Sequence, residues 1–354
     1  MSNIALHAHT IEDLALALAL ALLGSAAAAR AADTSLLAST AADREPKLEA
    51  AARREGALSF YTSIAQKDLD PVIAPFEKKY GIKVTTWRAS GDLITQRILQ
   101  ESSAGRHTVD AVHIASTEME ALAREKVLEK VESPLYPTLL PGSLPAHKMW
   151  VSTLLSPWVQ AYNVNSIEKS ALPQTYQDLL DPKWKGKLGY EVQDIEWFIT
   201  VCKLLGDDKG VQFFKDLVKK NGLSVRKGHT LLDNLVAAGE VPLALTLYNY
   251  MPAQAKAQGA PIDWFVIEPA VARANGMGVV KGAEHPNAAA LFEDYMLGEA
   301  QPVLASLEYV PVSSKVASPF KGVKLRVFDP AEVLDHADKW RPLYDRIIVK
   351  GDGN

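Results

Sequence analysis

The feature that most constrains this chain is a change of hydrophobic period, repeated three times between residues 57 and 125. Residues 57–61 read as a strand that ends at Thr62 and Ser63. Leu69, Val72, Ile73, Phe76 and Tyr80 then recur at three- and four-residue steps, the stripe of an amphipathic helix, with Gly81 as its stop. Residues 82–87 form the next strand, and Ser90-Gly91-Asp92 turns into a helix carrying Leu93, Ile94, Ile98 and Leu99. Residues 109–115 form a third strand, followed by a helix over 118–125. Strands separated by helices pair in parallel through right-handed crossovers and need helices on both faces. The pattern therefore predicts an α/β fold built on a mostly parallel sheet.

The alternation recurs further on. Prolines cluster over residues 135–157 and helical periodicity lapses, then residues 158–164 read as a strand. Further strands are predicted over 187–191, 242–247, 264–267 and 278–281, and helices over 32–55, 197–205, 213–220, 230–238, 286–297 and 330–347. Asp329 stands as N-cap to the last helix, with Pro330 at N1 and Glu332 at N3. Two α/β regions joined by extended segments predict two lobes and a cleft. Open α/β sheets bind ligands beyond the carboxyl ends of their strands, where helix N-termini present free N–H groups. Those ends carry Thr62, Ser63, Ser90, Gly91, Ser116, Glu191 and the run Tyr248-Asn249-Tyr250.

Ahead of the first strand, Leu14 to Leu23 is an apolar run too short to span a bilayer, followed by a run of alanines. It reads as the core of a secretory signal peptide over residues 1–31, cleaved near Ala31, although Glu12 and Asp13 stand where basic residues are expected. No cysteine lies near that point, so the expected product is an exported periplasmic chain without a lipid anchor. The lone cysteine, Cys202, cannot form an internal disulfide and reads as a core residue. With 38 basic against 42 acidic residues, the net charge of -4 argues against nucleic-acid binding, which needs a basic face.

Catalytic motifs are missing. There is no G-x-S-x-G elbow, H-E-x-x-H helix or phosphate-binding G-x-x-x-x-G-K-[ST] loop, and Gly276, Gly278 and Gly282 do not make a dinucleotide fingerprint. The histidines of the exported part lack the spacing of a zinc site, and His7 and His9 lie in the leader. An exported enzyme would have to draw its base from Glu191, Asp194 or a tyrosine.

Three stretches resemble the bacterial extracellular solute-binding proteins of ABC importers, in the branch of the ferric-ion-binding proteins. They are the run from Leu172-Pro173 through Asp181-Pro182-Lys183-Trp184-Lys185-Gly186-Lys187, the segment Ala161-Tyr162-Asn163-Val164-Asn165, and the helix start His285-Pro286-Asn287-Ala288. The resemblance implies a two-lobed periplasmic binding fold of type II, each lobe a mostly parallel sheet flanked by helices. Residues 32–157 would form the first part of lobe 1, residues 158–270 lobe 2, and residues 271–354 a return to lobe 1 with the C-terminal helices. It also implies a monomer that closes on a small molecule or ion by a hinge motion and delivers it to an inner-membrane permease, with no cofactor and no catalysis. A sensor docking on a membrane receptor is the neighbouring alternative.

The ligand must be read from the cleft. Ferric relatives use adjacent tyrosines after the strand that follows a Gly-Glu turn. Here the turn is Gly239-Glu240, Tyr250 matches one tyrosine and Asn249 replaces the other. Tyr248 and Tyr250 lie two apart, so an extended strand would turn both to one side as metal ligands. The stretch Ile64-Ala65-Gln66 lacks the His or Glu that iron-binding relatives often add. A small organic anion or zwitterion suits the remaining groups better. Hydroxyls of Thr62, Ser63, Ser90 and Ser116 would hold its anionic part, Trp158 and Trp197 would wall it, and Glu191 and Asp194 would take an amine.

Overall fold

The computed structural model describes residues 33–353, so the expected leader lies outside the described residues. After a turn over residues 35–38 the chain enters α1 (Arg44–Glu55) and then runs β1 (Ala57–Thr62), α2 (Gln66–Tyr80), β2 (Lys83–Arg88), α3 (Gly91–Ser103), β3 (Ala111–Ala115) and α4 (Ser116–Arg124). These are the predicted elements, except that the first helix starts twelve residues later than the composition of its N-terminal half suggests. β1 pairs in parallel with β2 (Leu58 opposite Val84) and with β3 (Phe60 opposite Ala111). α2 ends at Gly81, whose φ of 70° is the left-handed cap that glycine adopts without cost.

The second half holds β5 (Leu188–Glu191), α5 (Ile195–Leu205), α6 (Asp207–Asn221), β6 (Ser224–Arg226), α7 (His229–Ala237), β7 (Leu243–Tyr248), α8 (Tyr250–Ala257) and β8 (Ile262–Phe265). β5 pairs in parallel with both β6 and β7. With β4 (Val151–Asn163) and β9 (Ala270–Val279), the two parallel sets are hydrogen-bonded into one continuous sheet, in the order β2-β1-β3-β9-β4-β7-β5-β6. The joint consists of these two long antiparallel strands. Both exceed the predicted strands at 158–164 and 278–281. Every residue of β4 is buried, so no alternation marks its first half and the prolines hide it.

Each half of the sheet carries its own aromatic core. In the first, Phe60, Phe76 and Phe292 pack edge to face at centroid distances of 5.1 and 4.8 Å, under α9 (Pro286–Leu297). In the second, Trp197 meets Tyr190 and Phe214, each at 5.7 Å, and Phe198 packs on Phe214 at 4.5 Å. Trp340 and Tyr344 of the C-terminal helix join this second core. The predicted helix over 330–347 is broken into α11 (Pro330–Asp335) and α12 (Ala337–Tyr344), followed by a π-helical turn (Asp345–Val349); these follow α10 (Ala300–Ser306) and the short strands β10 (Val310–Pro311) and β11 (Leu325–Val327). Asp329 caps α11 as predicted, accepting from the Ala331 N–H at 3.0 Å.

The segment that carries the strongest resemblance is structural. Asp181 accepts from the Lys183 N–H at 2.9 Å, the buried Trp184 donates its indole N–H to the Asp178 carbonyl at 3.0 Å, and Gly186 takes a φ of 73°. Cys202 is fully buried and free, and burial pushes its thiol pKa up.

Candidate functional site

The carboxyl ends of both parallel sets open onto one cavity of about 1010 Å³. Its walls are the first turns of α3 and α4 from the first lobe, and those of α5, α7 and α8 from the second. β9 crosses the floor and places Arg273 and Asn275 there.

Six of the predicted ligand residues line this cavity: Ser63, Ser90, Gly91, Asp194, Tyr248 and Tyr250. The other six stand behind it. The buried Thr62 hydroxyl accepts from the Ile64 N–H at 3.1 Å and shapes the turn after β1. Glu191 uses its two oxygens to accept from the backbone N–H groups of Gln193 (2.6 Å) and Gly228 (2.8 Å). The Asn249 amide donates to the Glu308 carbonyl at 2.6 Å. Trp197 is part of the second core, while Trp158 lies beneath Tyr248 at 5.6 Å and supports its ring. Ser116 is buried at the start of α4.

The two tyrosines do not share a strand. β7 ends at Tyr248, Asn249 adopts helical dihedrals and Tyr250 opens α8. They still meet, because the turn carries the Tyr250 ring back into a near-parallel stack on Tyr248, 6.0 Å away and 10° apart. Tyr309 extends the row at 4.5 Å from Tyr250, and its hydroxyl donates to Asp68 at 2.7 Å. On the other side His229 stacks on Tyr248 at 4.4 Å and reaches Asp194 through Nε2 at 3.0 Å. Burial pushes the Tyr248 hydroxyl well above the usual phenol range, and it pushes Tyr250 up to about 12 against the opposing pull of Arg273.

Four functional candidates were not legible from strand ends: Arg273, Glu118, Glu196 and His229. Arg273 lies over the Tyr248 ring at 4.9 Å and pairs with Glu196 at 3.3 Å. Burial disfavours its charge, but Tyr248, Glu196 and Glu118 more than offset that and hold it protonated. Glu196, at the start of α5, also accepts from the Thr117 hydroxyl of α4 at 2.5 Å, a direct bond across the cleft. Burial pushes Glu118 up to about 7, Glu196 adds to that rise, and Arg273 opposes it. Among the described residues, Arg273 Nε, one Glu118 oxygen (Oε2) and the Tyr248 hydroxyl are buried without a hydrogen-bond partner. Buried polar atoms are rarely left so, and three at one cavity floor mark a place where a ligand completes the bonding.

Glu191, Asp194 and His229 also place one ligand atom each within 4.8 Å of one another. Both Glu191 oxygens accept backbone N–H groups, which ties this cluster to the loop before α7.

Two α/β lobes joined by crossing strands around a polar cleft define a receptor for small solutes of the periplasmic binding class. A sequence model of bacterial extracellular solute-binding proteins matches residues 72–324, and the chain belongs to that family. Iron uptake protein A1 of Synechocystis is 26% identical over 289 residues, covering 74% of this chain and 79% of that protein. Iron-bound HitA of Pseudomonas aeruginosa superposes with a TM-score of 0.71 at 22% identity, over 81% of this chain and 98% of that one. AfuA of Actinobacillus pleuropneumoniae, solved with fructose-6-phosphate, gives 0.69 at 23% identity, over 83% and 98%. At such identities the structural likeness is one of fold.

Proposed function

We propose that the protein is the periplasmic capture subunit of an ABC importer and that its solute is a small polar organic molecule carrying an anionic group, a zwitterion being the best fit. It closes on the solute, hands it to a membrane permease and performs no covalent chemistry. The observation that carries this reading is the set of unpartnered atoms at the cleft floor: a guanidinium Nε–H that donates, a carboxylate oxygen that accepts and a phenol that does either. A bare cation satisfies the acceptors only. It would also sit beside Arg273, a fixed positive charge 4.9 Å from the Tyr248 ring, and the Coulomb cost rises with its own charge. An organic solute with donors and acceptors answers all three groups, and Ser63, Ser90 and the α3 N-terminus lie ready for its anionic end.

A second reading is Fe(III) held by Tyr248 and Tyr250, favoured by the stacking of their rings and by the iron-related names of several relatives. Native mass spectrometry of protein taken from its own periplasm separates the two. An organic adduct lost on denaturation supports the first reading. Bound iron with a tyrosinate absorption band, and no organic adduct, would replace it by the second.

A further inference from the structure

Resting on the reading of an organic solute, we propose that Glu118 is the residue that recognises a cationic group of that solute, while Arg273 keeps Glu196 from that role. Glu118 stands in the first turn of α4, lines the cavity, and packs over the start of α3, where a Cβ added to Gly91 would lie 3.2 Å from its Oε1. A side chain on residue 91 would thus press on the carboxylate, so the bare glycine leaves it room. Its Oε2 is buried without a partner among the described residues. Glu196, another acid beside Glu118, is already committed: one oxygen accepts from Thr117 and the other faces Arg273.

The charges close the argument. Glu118, Glu196 and Asp92 are three carboxylates against the one guanidinium of Arg273, so the cluster carries an excess of negative charge when they are ionised. The groups packed around Glu118 are Asp92 from α3, Glu196 from α5 and Arg273 from β9, and the two acids among them make its ionised form less favourable. A solute ammonium placed at Oε2 supplies the missing positive charge and a donor. On binding, the Glu118 proton leaves to solvent as the ammonium takes its place. Affinity for a cationic group therefore rises as pH increases through about 7, where Glu118 titrates.

The test uses matched pairs of probes, 4-aminobutanoate with butanoate and 2-aminoethylphosphonate with ethylphosphonate, titrated calorimetrically into the wild type and E118Q at pH 6 and pH 8. The melting temperature of E118Q is measured first to confirm folding. The expected result is that an amine-bearing probe binds at pH 8 about tenfold or more tighter than its deaminated partner, weakens at pH 6, and loses that preference in E118Q. Equal binding of both members of each pair, a preference that survives in E118Q, or failure of every amine-bearing probe overturns the assignment. Binding of the deaminated probes alone overturns it while leaving organic-solute capture intact, whereas binding of Fe(III) alone removes both.

Discussion

Tyr248 and Asn249 are adjacent and both buried, yet the Tyr248 hydroxyl and the Asn249 amide nitrogen have opposite fates, and that contrast is testable. The Tyr248 hydroxyl bonds to nothing among the described residues, whereas the Asn249 amide holds the Glu308 carbonyl at 2.6 Å. Removing an unpaired hydroxyl costs the unliganded protein little, so Tyr248→Phe should unfold within about 0.5 kcal/mol of wild type in denaturant titration. Asn249→Ala removes the donor to the Glu308 carbonyl and should cost about 0.5–1.5 kcal/mol. Equal losses in the two variants would show that Tyr248 is bonded after all. Glu293 supplies a second residue-level test. It is buried beside Asp294 and accepts from the Tyr136 hydroxyl at 3.0 Å, and burial followed by repulsion from Asp294 pushes it up to about 8. The folded form therefore holds a proton that the unfolded chain releases near its ordinary carboxyl value. Its contribution to stability is present at acid pH and is lost as pH rises towards 8. Glu293→Gln keeps the hydrogen bond without the charge, so its melting temperature should exceed that of wild type at pH 8 and converge with it at pH 5. A constant difference at both values would refute the assignment.

At the scale of elements, the sequence exposes what alternates and hides what is buried on both faces. The six elements from β1 to α4 were legible because each strand is short and each helix carries a clear stripe. β4 and β9 were half hidden because they run through the middle of the sheet with covered faces, so no period marks them. The site suffered for the same reason. Its strand-end residues were found, but Arg273 lies inside β9, where a strand-end argument never looks. The available signal was an arginine inside a run that is apolar but for Asn275, Ala270–Val279. Glu118 and Glu196 stand in the first turns of α4 and α5, and only the tertiary fold brings these two helices face to face. The tyrosine row was anticipated with the wrong geometry, since a helix starts between its members. Close packing between elements was equally invisible. A Cβ on Gly210 in α6 would lie 2.3 Å from the Cys202 Cα of α5, against backbone that cannot swing away. Gly210→Ala should therefore force the two helices apart and destabilise by about 1–3 kcal/mol, despite alanine's better helix propensity. Gly105→Ala serves as the comparison, because nothing lies within 4 Å of its Cβ and only its φ of 64° is strained. If Gly210→Ala were the milder of the two, the helices would not be in the close contact described.

For the whole molecule, the placement of charge around β9 would tie ligand capture to the proposed lobe movement. α4 belongs to the first lobe and α5 to the second, so the bond from the Thr117 hydroxyl to Glu196 spans the cleft. Arg273, on a strand shared by both lobes, holds the same carboxylate from below at 3.3 Å. Closing the cleft shortens the path between α4 and α5, whereas opening it breaks the Thr117 bond and leaves Glu196 to Arg273 alone. On the proposed hinge closure the bond forms only as the lobes approach, so it would favour the closed population by its own free energy, about 1.5–3 kcal/mol for a hydrogen bond to a charged group. Thr117→Val keeps the shape and removes the donor. In solution scattering without ligand, the variant should show a larger radius of gyration than wild type. Its solute affinity should fall as the closed population falls, because an open-biased receptor uses part of its binding free energy to close. The variant's scattering with saturating solute should return to the wild-type closed profile, since the ligand itself bridges the lobes once bound. An unchanged radius of gyration without ligand would mean that β4 and β9 alone set the resting angle and that Thr117 only fills space.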